Sequence, residues 1–195
     1  MNILVNCEES QTVCKALRAK GHKAYSCDIQ DCSGGHPEWH IKGDALEVAY
    51  DLNFGWDAMV AHPPCTHLAV SGAWCFTQGL KPKSLQDEAA EFFMALVNAP
   101  ISLIAVENPI CVMSTRYRKP DQIIHPWQFG HPEQKKTCLW LKNLPKLVET
   151  ENVYANMMEL PKKQRERILS YGGNGKKRSK TYQGIAEAIA NQWFL

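Results

Sequence analysis

Residues 56–61 form a short apolar run that ends in His62, Pro63, Pro64 and Cys65. A run of this kind closed by two prolines reads as a strand that cannot grow. Proline has no N–H and fixes φ, so the ladder stops there and the chain leaves rigidly, with Cys65 on a loop of set direction. Taken alone, Pro-Pro-Cys also suits a turn followed by a small buried thiol. The neighbouring segments say what sheet this strand joins. Residues 3–5 are apolar, Ser10 is a candidate helix cap, and Val13, Ala16 and Leu17 follow at helical spacing. Gly21 closes that helix and residues 23–27 read as a second strand. Residues 84–98 place Ala89, Phe92, Phe93, Leu96 and Val97 on one helical face, and residues 101–106 are the near-continuous apolar run of a strand buried on both sides. Strands alternating with helices predict an α/β fold, a doubly wound and mostly parallel sheet. Such sheets bind ligands beyond the carboxyl ends of their strands.

Residues 137–141 read as a late strand, 33–39 and 71–83 as loops, 171–179 as a glycine-rich basic connection and 184–193 as a final helix. No internal repeat interrupts this order, and 195 residues suit one domain over positions 1–195. Eight cysteines, with no signal-like start and no long apolar run, point to a reducing cytoplasm and to no membrane role. The net charge of +2 hides a cluster: Lys162, Lys163, Arg165, Arg167, Lys176, Lys177, Arg178 and Lys180 face only Glu166. That patch suits phosphates, or is a solvated charged face.

The polar residues collect at the predicted strand ends: Cys7, Glu8 and Glu9 after the first, Asp28 after the second, His62 to Cys65 after the central one, and Glu107-Asn108-Pro109 after Val106. In this order they resemble the cytosine carbon-5 DNA methyltransferases, and more closely the small phage and prophage members of that family. The family's Pro-Pro-Cys-Gln motif, with its following Ala-Gly, is matched by Pro63-Pro64-Cys65-Thr66 and Ser71-Gly72. Its Glu-Asn-Val motif is matched by Glu107-Asn108-Pro109, and its Tyr-Gly-Val-Pro-Gln-x-Arg-x-Arg segment is echoed from Phe129 to Lys136.

The resemblance implies a Rossmann-like fold and S-adenosylmethionine as cofactor, with methyl transfer to carbon 5 of cytosine in DNA at low sequence specificity. A free deoxycytidine nucleotide is the alternative substrate, and a non-catalytic DNA- or nucleotide-binding protein the alternative role. It implies Cys65, Glu107 and Asn108 as catalytic residues. Cys7, Glu8, Ser10, Gln11, Thr12, Asp28, Ile29, Asp44, Ala45, His62 and Pro63 would hold the cofactor. Pro64, Thr66, Gly72, Lys136, Lys176, Lys177 and Arg178 would meet the substrate.

The chemistry requires both Cys65 and Glu107. Carbon 5 of cytosine is a poor nucleophile until a thiolate adds to carbon 6, and the electron density that follows needs a proton or strong hydrogen bond at N3, which a carboxyl can give. Read singly, Glu107 could pair with Arg116 or Arg118, Asn108-Pro109 is an ordinary turn, and Asp28 and Asp44 could be caps.

The chain also departs from the family pattern. Cys7-Glu8-Glu9-Ser10-Gln11-Thr12 stands where a glycine-rich turn is expected, and Thr66 replaces glutamine. Lysine, threonine or cysteine at positions 135–138 replaces the two arginines, with loss of their planar fork. Only a short basic insertion, about 142–180, occupies the place of a target-recognition domain. An aromatic residue in place of Cys65 would have suggested amino-group methylation. Cys27, Cys32, His36 and His40 have spacing that could wrap zinc, against a glycine-bearing loop lying over the cofactor pocket. His62 reads as a pocket wall, and Trp127, Trp140 and Trp193 as core.

Overall fold

A computed structural model describes residues 1–166 and 179–194. Its elements in chain order are β1 (Asn2–Asn6), α1 (Thr12–Ala19), β2 (Lys23–Asp28), β3 (His40–Lys42), α2 (Ala45–Tyr50), β4 (Ala58–Ala61), α3 (Trp74–Thr77), α4 (Lys83–Val97), β5 (Leu103–Pro109), α5 (Met113–Arg116), β6 (Gln122–Ile124), β7 (Thr137–Lys142), α6 (Tyr154–Glu159), α7 (Lys162–Arg165) and α8 (Gln183–Gln192). The strands form one sheet in the order β3-β2-β1-β4-β5-β7-β6. β1 to β5 run parallel, and β7 runs antiparallel between β5 and β6.

Period-two alternation inside buried strands sends successive residues to opposite faces. Val5, Val60 and Ala105 pack with α1 and α8 on one side, while Leu4, Met59 and Ile104 pack with residues of α2 and α4 on the other. Both faces are covered, which is why β4 is buried at all four positions. Phe93 of α4 meets Trp140 of β7 edge to face, with centroids 5.1 Å apart. Gly184 lets α8 approach closely, since a Cβ there would lie 2.0 Å from the Phe129 carbonyl oxygen.

Five expectations shift. Ser10 does not cap α1: Gln11 is the N-cap, in the left-handed region at φ 57°, and makes no side-chain cap bond. The cap comes from Glu8, whose carboxylate accepts from the Val13 and Cys14 amides at 2.7 and 3.2 Å. β5 runs to Pro109, so Glu107 and Asn108 lie within the strand because β7 pairs with both of them. Trp56 stands before β4 and donates its indole N–H to the Val48 carbonyl at 2.9 Å. Residues 71–83 hold a helical turn, α3, and the start of α4. Trp140 and Trp193 are core, whereas Trp127 is half-buried and packed against His125 and Tyr154. Among the described residues no helix is long and apolar enough to cross a membrane.

Candidate functional site

The predicted strand-end segments lie side by side at the carboxyl end of the adjacent parallel strands β2, β1, β4 and β5. β4 ends as the His62 amide donates to the Asn6 carbonyl at 2.9 Å, the last bond before the two prolines. Pro63 is buried, and its carbonyl accepts from the Asn108 side-chain amide at 2.9 Å. Pro64, Cys65 and Thr66 are exposed. The chain turns at once, with the Leu68 and Ala69 amides donating to the Cys65 carbonyl, and fully buried Leu68 anchors the turn. Ala69 bridges to Cys111, and flanking backbone bonds join Val70 to Ile110 and Val112 to Leu68. Cys65 is thus presented to solvent from a loop clamped on both sides. Asn108, expected among the reacting groups, is 1% exposed and braces this loop instead.

Glu107 projects from β5 on the side that also carries Val60 and Ala105, toward His62 at the end of the adjacent β4. His62 Nδ1 lies 3.2 Å from Glu107 Oε2, and the two side chains are 11% and 18% exposed. Glu8 also lies close to His62. Burial pushes the Glu8 carboxyl above the ordinary carboxylate range, opposed first by the charge of His62 and then by the α1 amides it caps. Behind this group is a cavity of about 20 Å³, lined by His62, Glu107, half-buried Lys135, Thr137, Tyr182 and aliphatic residues.

The turn from Cys7 to Thr12 has two non-glycine residues in the left-handed region, Cys7 at φ 58° and Gln11 at φ 57°. They bend the backbone where glycines were expected. Gln11 is fully buried: its carbonyl accepts from the His36 amide at 3.0 Å, and its amide donates to the His36 carbonyl at 2.8 Å and to the Ser26 hydroxyl at 3.2 Å. Gly34 packs on it so closely that a Cβ would fall 2.5 Å from the Gln11 Cβ. Ser10 and Thr12 share a hydroxyl contact at 3.2 Å, and Glu9 bonds the Ser33 hydroxyl. The 33–36 loop is therefore strapped over the start of α1.

Beside this turn, Asp28 accepts from the Gln30 amide and Ile29 is 74% exposed. Exposed Asp44 caps α2 through the Leu46 and Glu47 amides, and the Ala45 carbonyl is tied to the Asn6 side chain at 2.8 Å. Burial, with Asp28 and Asp44 next, pushes the Cys27 thiol up to about 12. Cys7 is raised further by burial, Asp28, Cys27 and Asp44. These two thiols therefore stay protonated and unreactive at neutral pH.

The zinc spacing does not close: Cys27 faces the Gly43 carbonyl, His40 bonds Ser26 and the Gln30 carbonyl, and His36 stacks on Trp39 and bonds Glu38. Among the described residues no group of three or more such side chains could hold a metal. Gly72 lies half-buried in the turn before α3, and Lys136 is exposed just before β7. Lys176, Lys177 and Arg178 lie outside the described residues.

Two features went unread in the sequence. His62 lines the cavity as a wall residue and is also a partner of Glu107, a relation that only the β4–β5 register creates. The segment after Cys65 exposes Val70, Trp74 and Leu80 at 50%, 58% and 64%. The available signal was the lack of any acidic residue between Asp57 and Asp87, while Lys81 and Lys83 lie in that interval.

No family model matches the chain, and no curated protein matches it. Solved structures do. A protein described as a DNA modification methyltransferase encoded within an E. coli prophage superposes over 83% of this chain at a TM-score of 0.50 and 13% identity. The S. pombe Dnmt2 methyltransferase superposes over 87% at 0.47 and 16%. The chain spans 56% and 58% of those two proteins. The fold is the Rossmann-like methyltransferase fold.

Proposed function

We propose that the chain transfers a methyl group from S-adenosylmethionine to carbon 5 of cytosine in DNA, with Cys65 as the nucleophile. The observation that carries this reading is the exposed Cys65, aimed by a proline loop after β4 that Asn108 of β5 braces, with mostly buried Glu107 the residue before Asn108 on that same strand. A solvent-facing nucleophile with a carboxyl partner serves an incoming ring better than it serves the core. The prophage protein's description as a DNA modification methyltransferase and the lysines of residues 162–180 support DNA as the acceptor.

S-adenosylmethionine, when bound, supplies an electrophilic methyl group. The residues at the ends of β1 and β2 suit it: Ile29 offers exposed aliphatic surface for a purine ring, and Asp28 beside it offers a carboxylate for hydroxyl donors. Of the Cys7–Thr12 turn, Cys7 and Thr12 are part-exposed, while Glu8 to Gln11 are buried. Asp44 would contribute through the oxygen not used to cap α2.

On the chain's side, the Cys65 thiolate adds to carbon 6 and pushes electron density toward N3, which takes the proton of the Glu107 carboxyl. Carbon 5 becomes nucleophilic and would bond to the methyl group, whose leaving group is a neutral thioether that keeps the bonding electron pair. Loss of the carbon-5 proton to solvent then restores the double bond as sulfur departs with its electron pair and N3 returns its proton.

The test is transfer of radiolabelled methyl to duplex DNA, single-stranded DNA and dCMP in parallel, with Cys65→Ala as control. The reading expects label in 5-methylcytosine of DNA, lost in the variant. Label in dCMP alone would move the substrate to the free nucleotide. No label on any of them, with cofactor bound, would leave a binding protein.

A further inference from the structure

Glu107 must give up a proton and take it back, and a carboxyl that does so in a mostly buried place needs a partner fixed in space. The residue placed to do this is His62, at the end of the neighbouring strand, which the resemblance sets with the cofactor and not with Glu107. Its position is over-determined: its amide closes the β1–β4 ladder, Pro63 follows it, and its ring is packed to 11% exposure. The groups that face it are Glu107 from β5 at 3.2 Å, Glu8 from the turn after β1, and Lys135, Thr137 and Tyr182 around the small cavity.

We infer that His62 is the positioning residue for Glu107, its Nδ1–H donating to Oε2 so that the carboxyl is held in one rotamer facing the acceptor ring. The inference rests on the proposed function for its chemistry. As N3 takes the Glu107 proton, negative charge appears on the carboxylate, and the Nδ1–H already in place meets it. When N3 returns the proton the carboxyl is restored, and His62 ends as it began. A donor aimed where charge develops lowers the barrier without reorganisation. Glu8, which caps α1 with both oxygens, adds a second carboxyl close enough to act on the ring electrostatically.

Side-chain isosteres give the test. Asparagine places its amide N–H where Nδ1 stands, glutamine places it where Nε2 stands, and phenylalanine keeps the ring without a donor. The expected order of kcat is wild type, then His62→Asn within about 5-fold, then His62→Gln and His62→Phe lower by about 100-fold. Cofactor Kd is measured for each variant, and the loss in kcat is expected to exceed any change in Kd and to follow the presence of a donor at the Nδ1 position.

Equal loss in all three, with cofactor still bound, would overturn the inference, as would full activity in His62→Phe. Long-range ¹H–¹⁵N spectra of His62 add a readout that needs no turnover. Protonated Nδ1 in the wild type, released in Glu107→Ala, is expected. If the wild type transfers no methyl yet shows that signature, the proposed chemistry fails and the pair stands. If the signature is absent, the inference itself falls.

Discussion

Asn108→Ala separates aiming the nucleophile from holding the fold together. The side chain is 1% exposed and its amide donates to the Pro63 carbonyl at 2.9 Å. Removing it strands a buried carbonyl, at a cost of about 1–3 kcal/mol. For a chain of this length that is a fall in Tm of roughly 4–8 °C at the middle of the range. The functional loss should be larger than the stability loss suggests, because the bond fixes the residue two positions before Cys65. Misplacing a reacting atom by about 1 Å costs on the order of 100-fold in rate. Circular dichroism melts, cofactor titration and single-turnover methyl transfer would be run together. The expected result is a modest fall in Tm, unchanged cofactor affinity and a rate lower by about 30- to 100-fold. Asn108→Asp should do at least as badly, since it sets an acceptor against an acceptor. A variant that loses the expected stability yet transfers at the wild-type rate would refute the view that Asn108 aims the loop.

Glu8 should make stability depend on pH. Its folded carboxyl titrates above the unfolded one, so its contribution is full below the unfolded pKa and is lost as pH rises through the folded value. Melts between about pH 4 and pH 8 should therefore show wild type losing more Tm than Glu8→Gln over that window; parallel curves would contradict the assignment. Gly34→Ala should weaken cofactor binding and lower Tm, because its Cβ would fall 2.5 Å from the Gln11 Cβ and 2.6 Å from the Ser10 carbonyl oxygen. A neutral result in calorimetric titration would mean that the 33–36 loop does not shape the site. Trp74→Ala should weaken binding of a fluorescent single-stranded oligonucleotide by about 10- to 100-fold, the worth of one base stack, with Trp74→Phe largely restoring it. Equal affinity of all three proteins would exclude Trp74 as a stacking surface.

The central sheet could be read from the chain because its strands are buried on both faces, where apolar continuity is the whole signal. Residues 3–5, 23–27 and 137–141 each lie within an observed strand. β3 and β6 are three residues each and pair only at the sheet's edges, so no local pattern announces them. The end of β5 was misplaced because Glu107 and Asn108 look like a strand stop. Pairing with Leu139 and Cys138 of antiparallel β7, far along the sequence, carries the strand through them. The Pro-Pro-Cys loop was legible because proline acts locally. The cap of α1 was not, since Glu8 reaches it only through a backbone bend at Cys7 that a non-glycine sequence gives no reason to expect. The same limit hid His62: a hydrogen bond between neighbouring strands 45 residues apart is a property of register.

The central claim is that Cys65 forms a bond to the cytosine ring, and the most direct measurement traps it. A DNA oligonucleotide carrying 5-fluorocytosine cannot lose a proton from carbon 5 after methylation, so the thiol cannot depart. The protein with S-adenosylmethionine and this oligonucleotide should give a denaturant-stable conjugate that mass spectrometry locates at Cys65, and Cys65→Ser should give none. A wild-type protein that binds both partners yet forms no conjugate, or a conjugate that survives Cys65→Ser, would contradict the account.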